Sequence, residues 1–351
     1  MSHFTVAVFT KEGQTVDELL APFHEFECTG HVDEYVKTIS ILDKAKDEYN
    51  NYIFTKLQSP DGKLYNPNED QFYREPTEEE KETIGMGSGF GKGISWFSKD
   101  WKDGKGYRAK VKFIPNNYKE IEVKATDIMS FKEFVEYYYE TNFISENEEP
   151  DLHNEQKYGW GKVNDNGEVI ELVTRTNPNA KWDWYQIGGR WSGLLKLKPG
   201  ANLGDYGERS WTNKNEIIPE HKVDTAKVKD IDFSIDEKEY NKAIRFWELK
   251  IEEDTPKNKE EEDLLKSDWY KKEYYTERYN SKEQYAQLTT EFGTYAVITP
   301  DGLWHSKGNM GWWGYSSESN NEAKQWYMSF KEKFIDTADP EWTLTVVDCH
   351  I

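Results

Sequence analysis

Trp342-Thr-Leu-Thr-Val-Val-Asp-Cys-His350 predicts a strand running to the C-terminus. A chain end is ordered when a sheet holds it, so this strand calls for neighbours. Upstream, Ser319-Asn-Asn-Glu322 is a capping box, a serine and a glutamate three residues on that satisfy each other's backbone N–H groups. It opens a helix with Ala323, Trp326, Tyr327, Phe330 and Phe334 on one face. Before it, residues 293–298 and 303–306 form a hairpin around Pro300-Asp301-Gly302. At the other end of the chain, residues 3–10 alternate as a strand, and the capping box Thr15-Val-Asp-Glu18 opens a short helix with Val16, Leu19, Leu20 and Phe23. Strand then helix at the start, and hairpin, helix and strand at the end, predict an α+β fold. The expected form is an antiparallel or mixed sheet with helices on one face, resembling a ferredoxin-like core. The whole chain, 1–351, is then one elaborated domain, with residues 36–130 and 200–285 as insertions.

Within those insertions and beyond them, local signals are plain. The spacing of Ile41, Ala45, Tyr49 and Tyr52 predicts a helix over 38–57, and residues 107–114 and 120–124 predict a hairpin. Ser130-Phe-Lys-Glu133 caps another helix, and residues 158–163 and 168–173 make a second hairpin around Asp165-Asn-Gly167. Ser234-Ile-Asp-Glu237 is expected to cap a helix with Tyr240, Ile244, Trp247 and Ile251 inward.

Composition narrows the function classes. Sixty-six acids against 45 bases give a net charge of −21, which argues against direct nucleic-acid binding, because neutralising phosphates needs clustered Lys and Arg. Aromatic residues make up 15% of the chain, enough large side chains for a packed core despite a modest apolar fraction. There is no run of 18 apolar residues and no leader-like N-terminus, so no membrane partner is expected and the cytoplasm is the expected location. Cys28 and Cys349 do not make a disulfide framework and are expected as free thiols.

The densest chemistry lies mid-chain, in Lys181-Trp-Asp-Trp-Tyr-Gln-Ile-Gly-Gly-Arg-Trp191. Trp182, Asp183, Trp184, Tyr185, Arg190 and Trp191 are the candidate ligand-binding residues. Gly188-Gly189 allows a positive φ that aims Arg190 off a tight turn. Residues 172–200 carry Arg175, Lys181, Arg190, Lys196 and Lys198 against the single acid Asp183, a basic spot in an acidic protein and a candidate anion site. No metal is assigned. The residues that would hold one are His24, Cys28 and His31, which lack recognised zinc spacing, with His350 brought near if the terminal strands pair. Asp348 and His350 alternate, so they share a face and Cys349 points the other way. Residues 85–93 place glycine at every second position but lack the Lys-Ser/Thr of a phosphate loop. The sequence names no cofactor and no catalytic residue.

The motifs Met1-Ser-His-Phe-Thr-Val6, Leu20-Ala-Pro-Phe-His-Glu-Phe-Glu-Cys-Thr-Gly30, Asn177-Pro-Asn-Ala-Lys-Trp-Asp-Trp-Tyr-Gln-Ile-Gly-Gly-Arg-Trp191, Met310-Gly-Trp-Trp-Gly314 and Val347-Asp-Cys-His-Ile351 resemble a family of proteins encoded mainly by tailed bacteriophages. The resemblance implies an origin and supplies no activity. It favours an accessory protein that binds a host protein or an anionic small molecule, a role suited to countering host defence. The alternative is an enzyme acting on a nucleotide or other phosphorylated substrate at the 182–191 motif, with Trp182, Trp184 and Tyr185 stacking a base, Arg190 pairing a phosphate, and Asp183 or Asp348 as general base or metal ligand.

Overall fold

The computed structural model describes residues 2–25, 34–75, 77, 94–96, 109–201, 204–209, 219–311 and 314–351, with backbone alone at 94–96, 109–110 and 208–209. The chain divides into two compact units, one of Met1–Lys37 with Thr176–Ile351 and one of Thr38–Arg175. The inserted unit therefore runs to Arg175, where the sequence reading ended it near residue 130, and residues 200–285 belong with the first unit.

The first unit is an α+β fold built on a mixed sheet. Its strands are β1 (His3–Thr10), β2 (Trp184–Gly189), β3 (Glu208–Arg209), β4 (Thr225–Lys227), β5 (Ala296–Ile298), β6 (Trp304–Ser306) and β7 (Thr343–His350). They lie in the order β3-β2-β7-β1-β5-β6, with β4 also on β7. The two central strands pair antiparallel along their full length, His3 opposite His350 through Thr10 opposite Thr343. On its other edge β7 takes β2 against its last residues and β4 against its first. β1 and β5 run parallel as neighbours. A split βαβ unit would put a strand between them, so a ferredoxin-like order is not established by this sheet.

Side chains alternate across a strand, and β1 is apolar on both sides. Phe4, Val6 and Val8 face one way and pack with Val347, Cys349 and the Leu19 and Leu20 of helix α1 (Val16–Leu20). Ala7 and Phe9 face the other and pack with Leu344, Val346 and Phe330 of a C-terminal helix (Asn320–Phe330). The helices thus cover opposite faces of the sheet, where one covered face was expected, because a strand with two apolar sides must be buried on both.

Helix α2 (Glu237–Lys250) buries Phe246 and Trp247 against Tyr275 and Tyr285. Helix α3 (Lys282–Thr290) supplies that Tyr285, and the Asn320–Phe330 helix is α4. Three capping boxes form as expected, at Thr15, Ser130 and Ser319. Ser319 accepts from Glu322 N at 3.3 Å, and Glu322 accepts from Ser319 N at 2.7 Å. Ser319→Ala is therefore expected to lower stability by about 1 kcal/mol, read as a lower urea midpoint at unchanged slope.

The second unit holds helices at Leu42–Asn51 and Phe131–Tyr138, with small cores around Ala45, Val135 and Leu172 and around Phe54, Ala125 and Phe134. Gly159–Val163 and Val169–Thr176 form the expected hairpin. The other two local readings change. The helix stops at Asn51 and Ile53–Gln58 is a strand; it pairs with Lys119–Lys124, which was expected to pair with the segment just before it. That segment, Ala109–Lys112, pairs with Tyr73–Arg74 and Ile94–Trp96. Among the described residues no helix is long and apolar enough to cross a membrane.

Candidate functional site

The face of β1 that buries Ala7 and Phe9 changes character toward its start, where the same alternation presents Thr5 and His3. Opposite them on β7 stand Asp348 and His350, and β2 adds Gln186 opposite Asp348 and Trp184 opposite His350. Three adjacent strands thus carry a rung Trp184, His350, His3, with Gln186, Asp348 and Thr5 as the next. The Trp184 indole, 40% exposed, stacks on the His350 ring at 5.0 Å and 18°. The His3 ring meets His350 edge-on at 4.9 Å and Trp184 at 5.2 Å.

Each imidazole is held at Nδ1 by a carboxylate. His3 Nδ1 lies 2.8 Å from Asp348 Oδ1, and His350 Nδ1 lies 2.6 Å from Asp183 Oδ1. An ionised carboxylate only accepts, so both Nδ1 atoms carry the proton and donate it, which turns both Nε2 atoms into the working nitrogens. Among the described residues neither Nε2 has a hydrogen-bond partner; the His3 side chain is 13% exposed and that of His350 6%.

The carboxylates are fixed in turn. Asp348 is fully buried, and its second oxygen accepts from Arg190 N at 2.9 Å. Asp183 accepts from Trp184 N at 2.7 Å, and its own N–H donates to His350 O at 2.9 Å. The turn after β2 is moulded on two buried acids. Gly188 and Gly189 take φ of 76° and 53°. A Cβ on Gly189 would stand 2.4 Å from Asp348 Cβ, and one on Gly188 would stand 2.4 Å from Asp224 Oδ2. Asp224 accepts from Gly193 N at 2.5 Å, Gly207 N at 2.8 Å and Ser192 Oγ at 2.8 Å, which locks the turn. Arg190 leaves this turn with its side chain exposed.

The six candidate residues of the central motif are thus divided. Asp183 and Trp184 join the two histidines, and Arg190 sits beside Asp348 through its backbone. Trp182 is 7% exposed, donates Nε1–H to Leu20 O at 3.1 Å and belongs to the core, so it is not part of the Trp184 platform. Tyr185 points to the α1 side and donates to Asp17; burial first, and Asp17 second, push its phenol above the ordinary range. Trp191 packs against the opposite core. Of the metal candidates, Cys28 and His31 lie outside the described residues. His24 and His350 both reach Asp183, the first through Nε2 to its carbonyl at 3.0 Å. Among the described residues no group of three or more His, Cys, Asp or Glu is placed to hold a metal ion. Burial pushes the Glu25 carboxyl, near Asp183, above its usual value.

Comparison with family models, curated proteins and solved structures finds no match. The geometry alone carries the functional argument.

Sequence reasoning did not pair His3 with Asp348 and missed Asp224. The first had a signal: a polar residue on a strand face whose other positions are apolar is costly unless paired. On the reverse face, Cys349 is fully buried, and burial first, with Asp348 and Asp183 after it, raises its thiol well above the ordinary value. In a Cys28→Ser variant, which keeps Cys349 as the one thiol, a disulfide reagent is expected to label nothing in the native state and one equivalent after denaturation. Full labelling of the native protein would mean that β7 opens readily.

Proposed function

We propose that this protein captures a phosphorylated, base-bearing small molecule at the Trp184, His350, His3 rung and acts on it by general acid–base chemistry. The observation that carries the reading is the pair of imidazoles 4.9 Å apart, each oriented through Nδ1 by its own carboxylate and each with Nε2 unclaimed. Packing alone needs no such arrangement, whereas acid–base catalysis needs a fixed tautomer and an open nitrogen. Capture without chemistry, the reading first favoured by the sequence, requires only the aromatic platform and the charge.

In this reading Trp184 offers its exposed face to the base, and Arg190 supplies permanent positive charge for the phosphate. One neutral imidazole takes the proton of an attacking water or sugar hydroxyl at Nε2, and the other, protonated, gives its proton to the leaving oxygen. One P–O bond forms and one breaks, and the pair resets by proton exchange with solvent. Because one ring must be neutral and the other charged, kcat/KM falls on both sides of an optimum pH. The resemblance to phage proteins supports an infected bacterial cytoplasm as the setting and a signalling nucleotide of host defence as a substrate class.

The test is incubation with nucleotides, cyclic dinucleotides and NAD-derived compounds, with thermal shift and chromatography of the products. Product formation that depends on His3 and His350 supports the reading. A compound that raises Tm but returns intact removes the catalytic part and leaves capture. Neither shift nor product with any of them overturns the reading and directs the search to a host protein, by pull-down from lysate.

A further inference from the structure

The face of the sheet that carries the histidines continues along β1 to Phe9, six residues and about 20 Å from His3. There it borders a second feature, a cavity of about 760 Å³ that no motif in the sequence announced. Its size falls in the range of small-molecule sites. Phe9, Trp326, Phe334 and Trp342 form its apolar wall. Their rings already meet one another at an angle, Trp326 to Phe334 at 5.4 Å and Phe9 to Trp342 at 6.4 Å. Trp326 Nε1 is committed to Thr294 O at 2.8 Å, so the indole has only its apolar surface to offer.

The polar part of the lining is unequal in sign. Lys11 and Lys333 line the cavity and are exposed. Among the described residues neither ammonium has an ion-pair or hydrogen-bond partner. In a chain with 66 acids and 45 bases, two unpaired lysines on one cavity stand out. The one acid in the lining, Asp301, is engaged by Thr299 Oγ1 at 2.6 Å. His305 lies beside them, its Nε2 3.4 Å from Thr299 Oγ1 and its ring 5.4 Å from Phe334.

We propose that this cavity binds a ring-bearing organic anion, with its ring against Trp326, Phe334 and Trp342 and its carboxylate, sulfonate or phosphate between Lys11 and Lys333. A neutral ring would leave both ammoniums unused. An alkyl anion would meet the lysines but forgo the offset and edge-on ring contacts that the wall provides. The site shares no residue with the histidine rung and stands whether or not that rung is catalytic.

The test uses anilinonaphthalene sulfonate, an aromatic anion whose fluorescence rises on burial, beside its uncharged parent N-phenylnaphthylamine and the alkyl anion decanoate. The wild-type protein is expected to bind the sulfonate saturably, with decanoate a poor competitor. Lys11→Glu and Lys333→Glu, both surface changes that leave the fold intact, are each expected to weaken it about tenfold and to leave the uncharged parent within about twofold. His350→Gln is expected to bind the sulfonate as wild type does. Three results would each overturn the proposal: a sulfonate Kd unmoved by both lysine variants, equal losses for the sulfonate and its uncharged parent, or a loss confined to His350→Gln, which would put the dye on the histidine rung.

Discussion

In His350→Gln, kcat for the phosphorylated substrate is expected to fall by about 10²–10⁴-fold, with Tm within a few degrees of wild type. Glutamine nearly matches the imidazole in size and still donates to Asp183, so the carboxylate, whose oxygen lies 2.6 Å from His350 Nδ1, keeps a partner. What the variant lacks is a ring nitrogen able to take up a proton and give it back. His3→Gln should show a loss of the same order. The double variant should be little worse than either single one, because residues that act as a unit are not additive. The pH profile then assigns the roles. A variant that has lost the base no longer falls off on the acid side of the optimum, and a variant that has lost the acid no longer falls off on the alkaline side. Wild-type turnover in both variants would remove the histidines from the chemistry.

Gly189→Ala is expected to cost a large share of the stability for a single added methyl group. Its φ of 53° puts an L-residue in the left-handed region, at about 1–2 kcal/mol. The added Cβ would stand 2.4 Å from Asp348 Cβ, an atom fixed to the backbone of a strand buried on both faces. Relief requires that β7 or the turn move, which breaks the Arg190 N to Asp348 bond and disturbs His3 Nδ1 on the same carboxylate. A total of about 4 kcal/mol is expected, since overpacking alone costs about 1–3 and a buried, unmet hydrogen-bonding group about as much. Chemical denaturation measures it, and Gly13→Ala, also at a positive φ but with nothing within 4 Å of the added carbon, isolates the backbone part. Equal losses in the two variants would show that the contact with Asp348 is soft.

What the sequence made legible follows from range. A capping box closes within four residues, so Thr15, Ser130 and Ser319 were readable directly. Even there local competition decided one case. Ser234 looks like a cap, but its hydroxyl donates to Asp232 at 2.6 Å, and Asp236 caps α2 in its place. Alternation showed that Asp348 and His350 share a face. It could not show that the face opens on Trp184, since that depends on the register between β2 and β7. The partner of Lys119–Lys124 was misjudged because adjacency in sequence is only a tendency, and Ile53–Gln58 competes for the same edge. The split between Trp182 and Trp184 was likewise hidden. Two residues apart on one strand they would share a face, but β2 begins only at Trp184, and Trp182, before the bend at Asp183, packs in the core with Leu19 and Leu20.

The pairing of β1 with β7 also sets a clock. His3 and Asp348 are 345 positions apart, so at about 5–20 residues per second a ribosome needs roughly 20–70 seconds between making the first and the second. For that interval Phe4, Val6 and Val8 belong to a strand whose antiparallel partner does not yet exist, an unpaired apolar edge of the kind that aggregates or recruits chaperones. The histidine pair cannot assemble on a nascent chain, and truncated translation products carry the platform tryptophan without the ring it stacks on.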